Sequence, residues 1–113
     1  MLPEAESLLK NTLRMERKAG SNCGATALNL AGVLQTMGKF NQSLAYAQLA
    51  VTENILPKEE KVRTNQIPKN IRMLALSHMS CSKSLRFMGF PLKALRHLEI
   101  ASEIISGFDC QEF

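Results

Sequence analysis

Apolar side chains return at three- and four-residue intervals along five stretches of this chain, and each stretch ends at a proline, a glycine or a polar run. Leu8, Leu9, Leu13 and Met15 form the first stripe, and Ala27, Leu30, Ala31 and Leu34 form the second. Leu44, Ala47, Leu49, Ala50 and Val51 make the third; Met73, Leu74, Ser77, Cys81, Leu85 and Met88 make the fourth. The fifth, Leu95, Leu98, Ile100, Ala101, Ile104, Ile105 and Phe108, is the most apolar. Such spacing predicts amphipathic helices, because the turn of an α-helix brings these positions onto one face. No stretch alternates with the period of two that a half-buried strand needs.

Prolines and glycines fall where this reading wants boundaries. Pro3 opens the first helix, Pro57 follows the third, Pro68 precedes the fourth, and Pro91 stands in the first turn of the fifth. A first-turn N–H has no helical acceptor, so proline loses nothing there. Gly20 and Gly24 bracket the first connection, Gly38 and Gly89 mark tight reversals, and Gly107 closes the last helix. The expected organisation is one all-α domain over residues 1–113 with about five antiparallel helices. It consists of a lone helix over 3–19, a helical hairpin over 24–56, a polar connection over 57–68 and a second hairpin over 69–107.

The two hairpins repeat one another. Leu34, Met37, Gly38, Leu44 and Ala50 recur 51 residues later as Leu85, Met88, Gly89, Leu95 and Ala101, while Leu30 and Ala31 return as Cys81 and Ser82. Small residues let paired helices approach closely: Ala31, Ser43 and Ala50 in one copy, Ser82, Ala94 and Ala101 in the other. Leu34, Leu44, Leu85 and Leu95 fill the remaining space. A repeated hairpin needs a neighbour to bury its apolar face. Such a chain presents a surface rather than enclosing a reaction, which predicts a binding or scaffolding role.

The set Asn29-Leu30-Ala31, Leu34, Gly38, Phe40, Leu44 and Ala50 resembles a tetratricopeptide repeat, and Cys81-Ser82, Leu85, Gly89, Ala94-Leu95 and Ala101 resembles another. The stretch EAESLLKNTLRMERKAG followed by ATALNLAGVLQTMGKF is similar to the longer repeat class of kinesin light chains. The resemblance spans residues 4–56 and 70–106. It implies an α-α superhelix acting as a non-catalytic protein-interaction module, which holds a partner peptide or helix on the concave surface made by the first helix of each hairpin. On this chain that surface takes Leu28, Asn29, Gly32, Gln35 and Thr36 from one helix and Met79, Ser80, Lys83, Arg86 and Phe87 from the other. Asn29 matches the family asparagine whose amide pairs with a bound peptide backbone. Ser43 departs from the usual alanine, and Leu28 and Gly32 replace residues with which some members clamp a chaperone's C-terminal carboxylate. Chaperone-tail binding is therefore not expected.

Net charge is a mild +4, but its distribution changes the picture. Residues 58–96 hold nine Lys/Arg against Glu59 and Glu60, or +7, whereas 97–113 hold Glu99, Glu103, Asp109 and Glu112 with no Lys or Arg, or −4. Lys83 and Arg86, three apart on one helical face, suit an acidic peptide segment. The alternative partner is single-stranded RNA, which helical-hairpin arrays with basic inner faces can read. A 5% aromatic content without Trp argues against nucleic acid. Cys23, Cys81 and Cys110 leave one cysteine unpaired and do not resemble a secreted disulfide framework, so an intracellular, cytoplasmic setting is expected. No apolar run approaches the ~20 residues of a membrane span.

Reactive chemistry has little to rest on. His78 and Cys81 lie three apart on one helix, but a second ligand pair is missing and Cys81 occupies a core position of the repeat. Paired catalytic carboxylates, a phosphate-cradling glycine loop and an oriented Cys–His nucleophile are all wanting. The expectation is a protein without enzymatic activity, cofactor or metal. Ile100, Ile104, Ile105 and Phe108 exceed what one preceding hairpin covers, and the first helix reads as the second half of an upstream hairpin. These four residues are the expected assembly interface, serving a homo-oligomer, a large complex or a longer array.

Overall fold

Three glycines decide where this chain turns. Gly20, Gly38 and Gly89 have φ of 74°, 78° and 89°, the left-handed region that a Cβ disfavours. Each closes a helix in the same way. Gly38 N–H donates to Gln35 O and Lys39 N–H to Leu34 O; Gly89 N–H donates to Arg86 O and Phe90 N–H to Leu85 O; Gly20 and Ser21 repeat the pattern on Arg17 and Glu16. These paired bonds satisfy the last carbonyls of a helix and reverse the chain in three residues.

The computed structural model describes residues 1–54 and 69–109, with side chains over 1–54 and 71–107. Five helices and no strand occur among them: α1 (Leu2–Lys18), α2 (Gly24–Thr36), α3 (Phe40–Glu53), α4 (Lys69–Phe87) and α5 (Pro91–Asp109). The all-α expectation holds. The expected connection over 57–68 and the side chain of Phe108 lie outside the described residues. Local chemistry explains the boundaries. Pro3 and Glu4 occupy the first turn of α1, and Arg17 and Lys18 its last, opposing the helix dipole at both ends. At the start of α2, Asn22 Oδ1 accepts the Gly24 N–H at 2.7 Å while Asn22 Nδ2 donates to Glu53 O at 2.8 Å. One side chain thus caps α2 and ties it to the end of α3. The two helices are so close here that a Cβ on Gly24 would lie 2.7 Å from Asn54 Nδ2.

Each helix packs on its successor among α1 to α3, α3 on α4 and α4 on α5, and α2 also touches α4. Leu13, Cys23, Ala27, Leu30, Leu34 and Ala50 form one core, flanked by Leu9, Leu28, Tyr46 and Leu49. A second core, Ala31, Ala47 and Cys81, joins the two hairpins between Leu44, Tyr46 and Val51. Fully burying a leucine such as Leu30 or Leu34 contributes ~2 kcal/mol.

Two stripes differ from the sequence reading. On α1 only Leu13 is buried and Leu9 half-buried, whereas Leu8 and Met15 are 67% and 70% exposed. The reason is that, among the described residues, α1 packs on one helix, α2, which covers only a narrow band of it. On α5 the buried positions are Ala94 and Ala101; Leu92, Leu95 and Leu98 are exposed, and Ile100, Ile104 and Ile105 are half-buried. Exposure on the last helix is therefore greatest at its leucines, while Ile100, Ile104 and Ile105 of the expected interface keep part of their surface open.

Candidate functional site

Helices α2 and α4 carry the sequence-nominated partner residues, and a buried polar seam joins the two helices. Ser43 Oγ donates to Ala31 O at 2.8 Å and lies 3.0 Å from Ser84 Oγ. Gln35 Nε2 donates to Ser84 Oγ at 2.9 Å and to Ser80 O at 3.0 Å, with Ser80 Oγ 3.2 Å away. Ser43 and Ser84 are fully buried. Polar groups in such a place must be paired, and pairing them fixes the register of the three helices that supply them. Gln35 and Ser80 are thus committed to holding α2 against α4.

Around this seam the remaining candidates sort by exposure. Asn29, Gly32 and Thr36 form an exposed line along α2, one turn apart. The Thr36 hydroxyl donates back to Gly32 O at 3.1 Å, whereas Asn29 makes no side-chain hydrogen bond among the described residues. Leu28 packs on the first core. On α4, Lys83 and Arg86 are exposed and form no ion pair with another described residue. Phe87 stacks on Phe40 with ring centroids 5.0 Å apart and planes 8° apart, and the Arg86 guanidinium lies 5.6 Å from its centroid. The stack links the end of α4 to the start of α3. Met79 turns elsewhere, into a groove between α4 and α5 of about 490 Å3 that Leu76, Leu98 and Ile105 also line.

Sequence reasoning missed a second basic feature. Lys10, Arg14 and Arg17, at i, i+4 and i+7 of α1, line a cleft of about 390 Å3 with Leu13 and with Tyr46 of α3. The helical spacing of those cations was the available signal. Lys10 is occupied by Glu6 at 2.7 Å, and Lys39 reaches the same carboxylate at 3.2 Å. Those two ammonium groups, Lys10 first, hold the Glu6 carboxyl below its ordinary 4.5.

His78 and Cys81 do not act together. Cys81 packs on Ala31 and Ala47, while His78 Nδ1 lies 3.0 Å from Nδ1 of His97 on α5. Both imidazoles titrate below 6.5 because they are partly withdrawn from water, His78 also because of the charge His97 would carry. Burial pushes the Cys81 thiol up to about 11, and burial followed by the nearby Glu53 carboxylate does the same to Cys23, whose Sγ lies 2.8 Å from Glu53 Oε1. Neither thiol is set up as a nucleophile at neutral pH. Among the described residues no three His, Cys, Asp or Glu gather as metal ligands, and no helix is long and apolar enough to cross a membrane. No protein-family model matches the chain, and no curated protein and no solved structure matches it either.

Proposed function

We propose that this chain is a non-catalytic, tetratricopeptide-like interaction module that holds an acidic segment of a protein partner across α2 and α4. One observation carries the reading: Asn29, Lys83 and Arg86 stand exposed, without hydrogen bonds or ion pairs to other described residues, on two helices that the Gln35–Ser84–Ser43 seam locks together. An amide with a free donor and acceptor suits a peptide backbone, and a lysine with a nearby arginine suits carboxylates. Because the seam fixes their spacing beforehand, a partner does not have to order them on binding.

The test is affinity capture with the wild-type chain and with a folded Asn29→Ala/Lys83→Glu/Arg86→Glu variant, followed by anisotropy titrations with synthetic acidic segments of the captured protein. Loss of at least about tenfold in affinity, ~1.4 kcal/mol, supports the site. Equal binding by both baits removes it. Single-stranded RNA is titrated in parallel, and RNA retention that falls steeply with salt while the acidic peptides fail to bind would replace the peptide reading with an RNA-associated one.

A further inference from the structure

The cations around the cleft between α1 and α3 are not equivalent. Lys10, Leu13, Arg14 and Arg17 of α1 and Tyr46 of α3 line its volume of about 390 Å3. Leu13 belongs to the first core and the Tyr46 ring packs against both cores, so the apolar part of the lining is held in place by the fold. Lys10 is already matched, with its ammonium 2.7 Å from the Glu6 carboxylate. Arg14 and Arg17 are exposed and form no ion pair with another described residue. Three positions apart on one helix and lining one cleft, these two guanidinia repel each other until something negative comes between them. Tyr46 adds a hydroxyl that makes no hydrogen bond among the described residues.

We propose that this cleft binds a small phosphate monoester in its dianionic form, with Arg14 and Arg17 on the phosphoryl oxygens, the Tyr46 hydroxyl donating to the same group, and the organic part against Leu13 and the Tyr46 ring. Charge and geometry set the choice. Two unmatched guanidinia balance two negative charges, and a phosphoryl group offers three oxygens, enough for two forked donors and a hydroxyl. A carboxylate brings one charge and two oxygens, which a single guanidinium fork already takes up. The apolar lining favours an ester carrying a ring or an aliphatic group over phosphate alone. The site lies on α1 and α3, away from the residues of α2 and α4 assigned to an acidic partner segment, and stands independently of that reading.

Titration of the full chain with phenyl phosphate, inorganic phosphate and benzoate, at constant ionic strength and about pH 7.5 where the ester is a dianion, tests the site through amide chemical shifts. Phenyl phosphate is expected to saturate, to shift the Arg14, Arg17 and Tyr46 amides, and to bind at least about tenfold tighter than benzoate, which has the ring but one charge. Inorganic phosphate should bind more weakly than the ester. Arg14→Gln/Arg17→Gln is expected to lose about tenfold or more, and Tyr46→Phe, which keeps the ring, severalfold. Lys93→Gln/Arg96→Gln removes the same charge from α5 and should bind as the wild type does. No saturation by about 10 mM phenyl phosphate overturns the proposal, as does benzoate or inorganic phosphate binding equally well. An equal loss in the α5 variant overturns it too, since attraction would then follow net charge and not this cleft.

Discussion

The α2–α3 and α4–α5 hairpins are written on one template and live in different surroundings. In the first, Leu30, Ala31, Leu34, Ala47 and Ala50 are all fully buried, with α1 on one side and α4 on the other. Their counterparts Cys81, Ser82, Leu85 and Ala101 stay buried, but Leu98, which stands for Ala47, is nearly half exposed. Leu44 is half-buried where its counterpart Leu95 is open. Positions that a hairpin covers with its own two helices are thus buried in both copies. Positions that need a following helix are buried only where α4 supplies one. Burial here belongs to the stack rather than to the repeat, as expected where each unit contacts only its neighbours.

The largest effect that can break this contrast comes from matched truncations. Leu34→Ala removes a fully buried side chain and is expected to cost about 3 kcal/mol, lowering the thermal midpoint by more than ~10 °C. Leu98→Ala, at a side chain that is nearly half exposed, should cost under ~0.5 kcal/mol. Thermal unfolding followed by circular dichroism reads both. Comparable losses would show that the exposed stripe on α5 is already covered within one chain.

A smaller effect, confined to the junction of the hairpins, comes from the polar seam. Gln35→Ala strips Ser84 of its amide donor and unties α2 from Ser80, with an expected loss of about 1 kcal/mol. Ser43→Ala should cost a similar amount alone, and less than additively beside Ser84→Ala, because the two hydroxyls bond each other at 3.0 Å. Strict additivity would mean that the seam does not act as one network.

What could be read in advance, and what could not, follows from the range of the interactions. Helices and reversals are legible because short-range rules set them: Gly38 and Gly89 supply positive φ, and Pro3 and Pro91 open helices. The 51-residue register correctly pairs Leu34 with Leu85 and Ala50 with Ala101 as core. Leu8 and Met15 mislead because an apolar stripe shows which face a helix could bury and not how many neighbours it has. The bonds of Gln35 to Ser80 and Ser84 were not legible, because an amide spent across a helix interface has the same composition as a free one. Four serines within Ser77–Ser84 were the available hint, since so many hydroxyls on one buried helix need acceptors. The His78–His97 contact escaped for want of one step, as these positions repeat Ala27 and Tyr46, which pack in the same core.

That histidine pair makes acid a probe of the second hairpin alone. Burial holds both imidazoles below their ordinary 6.5, so the unfolded chain binds protons more readily than the folded one. Their contribution is complete above 6.5 and is lost as pH falls through the lower folded values. The thermal midpoint is expected to decline from about pH 7.5 to about pH 5.5, and His97→Tyr, which copies Tyr46 of the first hairpin, should flatten the decline. An unchanged slope would place the titrating groups elsewhere. Glu6 is separate: held below 4.5 by Lys10 and then Lys39, it stabilises α1 above that value and stops doing so only as pH falls through its lowered one.

The subtlest comparison asks which hairpin opens first. Cys23 lies at the α2–α3 end and Cys81 where α4 meets the first hairpin, and both thiols sit near 11, so at about pH 8 roughly one in a thousand is thiolate in the closed state. Reaction with a disulfide reagent therefore reports opening rather than intrinsic nucleophilicity. With Cys110 replaced by serine, the hairpin that among the described residues has a neighbour on one side only should detach before the one flanked on both. Cys81 is then expected to be labelled several times faster than Cys23, as read by mass spectrometry of timed quenches. Labelling at one common rate would mean that α4–α5 does not come away independently, and that the polar seam and the Phe40–Phe87 stack couple the two hairpins into a single opening unit.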